Sequence, residues 1–307
     1  MKLLTNPCSY SNAIDLIKKG VDAISVGESS FSAKNSNDLS FVEIKKILKE
    51  KKKTKVFILV NKFFFDTDLV RLEKYLLKIC KENIDGIIYS DYAVNQILFE
   101  NKILINQIYN PETLVVSYGQ FDFYKKNSIN EVSLAREISS SNIKKILDNK
   151  NKMKVQIQVC GYSYMMWSRW DLLKNFSQYS KIKTSLDNKI LYLSEQKRKE
   201  PFIIYEDKNG TFMYTNYNLN LLSKLKELQT HKIDTIRIDT FLHNEEWINE
   251  TTDIFLEAIK TLELKDDKKY DELVKKSTEK LMKFDKIQSC GFYDMNKKDL
   301  IYIADEQ

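Results

Sequence analysis

The stretch KLLTNPCSYSNAIDLIKKGVDAISV (Lys2–Val26) reads as a strand, a helix and a second strand. Lys2–Thr5 and Ala23–Val26 are short apolar runs, whereas Leu16 and Ile17 fall at helical spacing within Asn12–Lys19. The same alternation continues along the chain. Further strands are expected at Val56–Asn61, Gly86–Tyr89, Ile103–Gln107, Glu131–Leu134, Val155–Val159 and Thr235–Ile238. Helices are expected near Phe41–Lys51, Asp68–Glu82, Tyr92–Glu100, Pro111–Lys125 and Ser140–Asn149. Strands alternating with helices point to an α/β fold, here a distorted (β/α)8 TIM-like barrel.

The last strand does not arrive until Thr235, far beyond an ordinary connection. The intervening insertion, about 162–230, contains a hairpin signature: PFIIYED, the turn KNG and TFMYT, with Asn209-Gly210 supplying the positive φ of a tight turn. A helix over Leu219–Leu228 is expected to lead into the final strand. The barrel is assigned to 1–264, and 265–307 to a C-terminal helical extension and tail.

With 307 residues, 43% apolar and 30% charged, the chain can bury a sizeable core. Its apolar runs, such as Val56–Val60, are too short to span a bilayer, and MKLLTNPCSYS lacks the apolar core of a signal peptide. These features predict a cytoplasmic protein with no membrane partner. A net charge of +6 favours anionic partners such as RNA, although Lys51–Lys53 also reads as a solvated helix end. Cys8, Cys80, Cys160 and Cys290 have no metal or redox spacing, and His231 and His243 are the only His, so no metal site is expected.

Strand ends of such a barrel carry its chemistry. Only five Arg occur: Arg71, Arg136, Arg169, Arg198 and Arg237. Against a Lys-rich background they suggest planar, bidentate geometry. Arg136 and Arg169 are candidates for carboxylate or phosphate binding. Alternatively, Arg136 and Arg237 pair with Glu137, Asp234 or Asp239. Glu28, Glu137, Glu206 and Asp239 are acid/base candidates, each equally explained as a cap or ion pair. The segment VQIQVCGYSYMMWSRWDLLKNF (Val155–Phe176) begins as a buried strand and continues as an amphipathic helix. Cys160 at its join is a nucleophile candidate, but the ordinary reading is a small buried hydrophobe. Tyr162, Tyr164, Met165, Met166, Trp167 and Trp170 could stack on bases or form core or interface, with Trp247 in one shared aromatic patch. His243 is the only His near the expected active face, and its ordinary reading is an exposed loop side chain.

Several pieces together resemble peptidase family U-32, the collagenase-like peptidases. KLLTNPCSYSNAIDLIKKGVDAISVGESSFSAK resembles the family's first unit, with its "GADA–VG" core at Gly20–Gly27. Val56–Asn61 resembles its third strand, and SLAREIS (Ser133–Ser139) its "LARE–S" motif. QIQVCGYSYMMWS resembles the segment that usually carries "VHG" and then a cysteine, and YEDKNGTFMYT with IDTIRIDT the later "EDxNG" hairpin and acidic strand. The likeness runs from about Leu3 to Leu262. Matching positions are Glu28, Asn61, Arg136, Glu137, Gly161, Glu206, Asp207 and Asp239.

The resemblance implies a TIM-barrel-like fold. Within the family it is nearest to shorter, cysteine-poor members that Gram-positive-type bacteria use in tRNA hydroxylation, where a wobble uridine becomes 5-hydroxyuridine and prephenate is implicated. It implies a heteromer with a larger, cysteine-bearing paralogue. Cys160 stands where the motif has His, Tyr164 where a cysteine is common, and Thr240 where glycine is usual. Four scattered cysteines suit no [4Fe–4S] cluster, so a cluster is expected only on the partner. A cluster-free tRNA-hydroxylation subunit is therefore the first expectation, with Asn61, Arg169, Tyr162, Trp167, Trp170 and His243 as contact residues. A collagenase-like hydrolase using acids such as Glu137 and Glu206 with Arg136 or a metal is the alternative.

Overall fold

The structure is a computed structural model, and it describes residues 1–182, 186, 188–194, 196 and 201–295. Arg198 and the last part of the tail, 296–307, lie outside the described residues.

Eight parallel strands close a barrel: β1 (Lys2–Thr5), β2 (Ala23–Val26), β3 (Lys55–Val60), β4 (Gly86–Tyr89), β5 (Gln107–Tyr109), β6 (Glu131–Ser133), the first half of β7 (Lys154–Ser168), and β11 (Thr235–Ile238). β11 pairs with both β1 and β7, which completes the circuit. Helices α1 (Tyr10–Lys19), α2 (Phe41–Glu50), α3 (Asp66–Ile79), α4 (Tyr92–Glu100), α5 (Phe121–Lys126), α6 (Ser140–Asp148) and α9 (Glu245–Glu263) connect or follow these strands. Local chemistry fixes the helix ends. Ser9 caps α1 by accepting from the Asn12 amide, and Ser40 and Glu43 form a reciprocal capping box on α2.

Alternation along the strands sorts two cores. Leu3, Ile24, Val56, Ile58, Val155 and Ile236 face the helices, and Leu4, Ala23, Phe57, Leu59, Ile88 and Ile108 fill the barrel. The TIM-barrel fold expected from the alternating pattern is thus present.

Several element assignments differ from expectation. Ile103–Ile105 is loop, and β5 starts at Gln107 because pairing with β4 starts there: Ile87 opposes Gln107 and Tyr89 opposes Tyr109. Leu104 is 97% exposed, so its alternation with Ile103 and Ile105 imitates a strand without a partner. The helix expected over Pro111–Lys125 shrinks to a 3-10 turn at Tyr118–Gln120 and α5, which leaves a loop whose Glu112 is buried. The amphipathic helix expected after Cys160 is instead the second half of β7, and helix α7 (Leu172–Tyr179) begins only afterwards.

β7 therefore serves two sheets. Thr235–Ile238 flank its first half in the barrel, and from Cys160 onward it pairs antiparallel with β10 (Gly210–Asn220). β8 (Leu191–Leu193) and β9 (Phe202–Asp207) extend this roof beyond β10. Gly161 sits at the switch with φ +107, and a Cβ there would lie 2.0 Å from the Asp239 carbonyl oxygen. Only glycine tolerates both. Gly210 opens β10 at φ +112, as the hairpin reading requires. In place of the single helix expected at Leu219–Leu228, β10 continues to Asn220, followed by a 3-10 turn and α8 (Leu225–Thr230). The chain then returns through β11 and α9 to α10 (Asp267–Leu281), which packs on α9, and to β12 (Gln288–Ser289), which pairs with β10.

Candidate functional site

The C-terminal ends of the barrel strands open beneath the roof, and polar residues gather there. Lys34, from the loop after β2, places Nζ 2.9 Å from Oε2 of Glu112. Arg136, after β6, lies 3.3 Å from the same carboxylate and 3.4 Å from Asp239. Arg237 on β11 grips Asp239 with a fork, Nε to Oδ1 at 2.8 Å and Nη2 to Oδ2 at 3.1 Å. It also donates to Ser133 and Gln156 inside the barrel. Three cations thus face two carboxylates, and every member except Asp239 has a side chain no more than 10% exposed.

Burial would raise the Glu112 carboxyl, but Lys34 and Arg136 beside it hold it down at about 2. Burial lowers the Lys34 ammonium, partly offset by Glu112. Both residues have positive φ, 53° for Lys34 and 69° for Glu112, a strain that non-glycine residues rarely accept.

Aromatic rings cover the cluster. The Lys34 ammonium lies 3.9 Å from the centre of the Tyr164 ring, and Arg136 donates to the Tyr164 carbonyl oxygen. Tyr162, Tyr164, Tyr214 and Phe241 belong to the roof's own apolar cluster. The mouth keeps about 40 Å³ of open space, room for a few waters or one carboxylate group. Around it, Asn6 Oδ1, Asn110 Oδ1, Arg136 Nε and the Tyr214 hydroxyl are buried without a hydrogen-bond partner among the described residues. Unpaired buried polar atoms are costly, so a cluster of them marks a place prepared for a ligand or water.

Of the residues singled out from sequence, Asn61, Arg136, Tyr162, Tyr164, Arg237, Asp239 and Thr240 line this mouth. Arg136 and Arg237 both pair with Asp239; Asp234 instead pairs with Lys150, and Glu137 is exposed. Glu28 is half-buried outside the mouth, where burial raises its carboxyl despite the nearby Tyr75 and Lys78. Glu206 accepts from the amides of Leu173 and Lys174 and from the Thr211 hydroxyl, capping α7. Trp167 and Arg169 line a second cavity beside the mouth, and Trp170 is 73% exposed.

His243 is buried, contrary to the exposed-loop reading. Its ring stacks on Trp247 at 3.5 Å and on Tyr162 at 4.9 Å, and burial lowers its pKa to about 3. Asn218 Nδ2 lies 3.2 Å from Nε2, so the neutral ring carries its proton on Nδ1, facing Asp285. The expected single tryptophan patch does not form: Trp247 stacks with His243, whereas Trp167 contacts Phe63.

Lys34 and Glu112 were missed from sequence. Glu112 was hidden inside the helix expected over Pro111–Lys125, and Lys34, which ends the stretch that resembles the family's first unit, carries no side-chain signal of its own. Cys160 is fully buried, and burial with Asp285 nearby pushes its thiol far up, away from nucleophilic chemistry. The cysteines sit after β1, at the end of α3, within β7 and after β12. Among the described residues no three His, Cys, Asp or Glu side chains gather as metal ligands, and this donor set does not fit an iron–sulfur cluster. No described helix is long and apolar enough to cross a membrane. A larger hollow, about 1100 Å³, lies at the opposite end of the barrel, lined by Leu4, Phe57 and Ile108 within a fringe that includes Lys2, Lys55 and Lys154.

Comparison with known proteins agrees with the family resemblance. The profile of peptidase family U32 matches residues 9–301, and the chain belongs to that family. It is 26% identical over 264 residues to tRNA hydroxylation protein P2 of Bacillus subtilis, covering 84% of this chain and 85% of that protein. It is 20% identical over 308 residues to tRNA hydroxylation protein P of Haemophilus influenzae, covering 84% of this chain and 67% of the relative. A solved U32 peptidase structure aligns with a TM-score of 0.48 and 11% identity, over 78% of this chain and 92% of that one.

Proposed function

We propose that this U32-family chain is a cytoplasmic, cluster-free subunit of a tRNA-modifying assembly that hydroxylates the wobble uridine. In this reading a larger, cysteine-bearing paralogue carries the iron–sulfur cluster. This chain holds a carboxylate-bearing small molecule, prephenate being the pathway candidate, with its acid group among Lys34, Arg136 and Tyr214. The observation that carries the reading is the buried mouth, where three cations face two carboxylates and Arg136 Nε has no partner. An incoming anion would balance that excess of positive charge. The names of the two tRNA hydroxylation relatives supply the pathway.

Two measurements test it. Prephenate should raise the thermal midpoint of the wild-type protein, and Lys34→Met and Arg136→Met should abolish the shift. Deleting the gene should remove 5-hydroxyuridine-derived nucleosides from digested tRNA, as read by mass spectrometry. An unchanged nucleoside profile overturns the proposal. The collagenase-like alternative would rest on Glu137 and Glu206. It gains ground only if purified protein cleaves gelatin and Glu137→Gln abolishes the cleavage.

A further inference from the structure

Beside the mouth, sharing Lys34 and Asn61 with it, lies a cavity of about 370 Å³. This is within the range of small-molecule sites, roughly 300–1,000 Å³. Its walls combine two kinds of side chain. Phe63 and Phe65, in the loop after β3, are 40% and 39% exposed despite being aromatic, and Trp167 and Phe212 face them from the roof strands. Lys34, Lys62, Arg169 and Lys208 line the same cavity against only Asp68 and Asp171.

The aromatic faces are held in place. Trp167 donates its indole N–H to the Asn209 carbonyl oxygen at 2.8 Å and contacts Phe63 at 5.1 Å between ring centres. The Arg169 guanidinium lies 3.5 Å from the centre of the Phe65 ring. Asn209 Oδ1, also at this cavity, is buried without a hydrogen-bond partner among the described residues. It is an acceptor waiting for a donor such as the imide N–H of a pyrimidine. Aromatic faces give bases a sequence-tolerant stacking surface, and clustered cations suit the phosphates that join them.

We infer that this cavity receives one nucleotide of single-stranded RNA. Its base stacks on the Phe63–Trp167 wall and its phosphate lies among Lys62, Arg169 and Lys208. The inference deepens the tRNA reading, on which it rests for the identity of the RNA. It adds which part of the molecule grips the strand next to the anion-holding mouth.

The test uses the full-length protein and three probes: labelled oligouridylate, an RNA duplex of equal length, and uridine monophosphate. Binding is followed by fluorescence anisotropy, with the mononucleotide as competitor, across a salt series. Oligouridylate should bind tighter than either other probe. The double variant Phe63→Ala/Phe65→Ala should weaken it about 5- to 150-fold, the range of one lost stacking contact. The salt dependence should stay unchanged in that variant. Arg169→Ala and Lys208→Ala, both exposed in the wild type, should each flatten the log–log salt slope by about 0.7. Preference for duplex, or equal oligouridylate binding by all these variants, overturns the inference. So does mononucleotide binding as tight as the oligomer, which would make this a free-nucleotide site.

Complementation separates this inference from the hydroxylation reading. If deletion removes the nucleoside and Phe63→Ala/Phe65→Ala restores it fully, the cavity assignment fails alone. If deletion leaves the nucleoside intact while the RNA results hold, the hydroxylation reading fails alone.

Discussion

His243 shows how a single buried ring ties function-like chemistry to stability. Its pKa falls from 6.5 to about 3 because burial between Trp247 and Tyr162 strips the ring of water and disfavours its charged form. A base whose folded pKa is depressed takes up fewer protons folded than unfolded. Its contribution is therefore complete above pH 6.5 and is lost as pH falls towards 3. The slope should approach about 1.4 kcal/mol per pH unit within that window. Asp285, whose carboxyl burial raises, titrates with the opposite sign, so the comparison is made between proteins. His243→Phe keeps the stack and should flatten the pH dependence of urea unfolding between pH 6.5 and 3. An unchanged slope would assign acid sensitivity elsewhere. Glu112, held at about 2 in the folded protein, stays ionised there as countercharge to Lys34 and Arg136, and its contribution is lost only below its ordinary 4.5, as pH falls towards 2.

Elements with both a period and a partner were legible in the sequence; elements defined by their neighbours were not. β1 and β2 were readable because four-residue apolar runs flank a helix with a clear apolar face. β5 was displaced because Ile103, Leu104 and Ile105 alternate as a strand would, yet only residues from Gln107 meet β4. That displacement concealed Asn110, and the helix expected over Pro111–Lys125 concealed Glu112. The roof half of β7 carries aromatics that suit a helix or a strand equally, and pairing with β10 decides between them. Arg136 and Asp239 could be named as candidates from their places at strand ends, but not their joint arrangement with Lys34. Gly161 is the element's weak point. Gly161→Ala would crowd the Asp239 carbonyl oxygen and strain φ, each costing about 1–3 kcal/mol, and should lower the urea midpoint accordingly. A midpoint within error of wild type would show that β7 and β11 can separate at little cost.

At the scale of the whole molecule, Asp285 holds together parts that the sequence keeps far apart. It accepts from Tyr162 on β7, Asn218 on β10 and Trp247 on α9. Asp285→Ala would leave the Tyr162 and Trp247 donors without a partner at about 1–3 kcal/mol each, and Asn218 with only His243. The expected result is a lower thermal midpoint and faster cleavage by added protease after α10; unchanged resistance would show that the C-terminal segment docks without this residue. The roof is fastened just as firmly on its other side, because β7 passes from barrel wall to roof without a break. Past Cys160, β7 pairs among the described residues only with β10, so barrel wall and roof share one strand that turns at Gly161. If the proposed nucleotide cavity is the way in, a strand reaches the mouth along the flank, beside Phe63 and Trp167, where thickness becomes a selection rule. On that proposal a flat ring or an unpaired strand slides beneath the eave, whereas a folded double helix must first surrender a nucleotide.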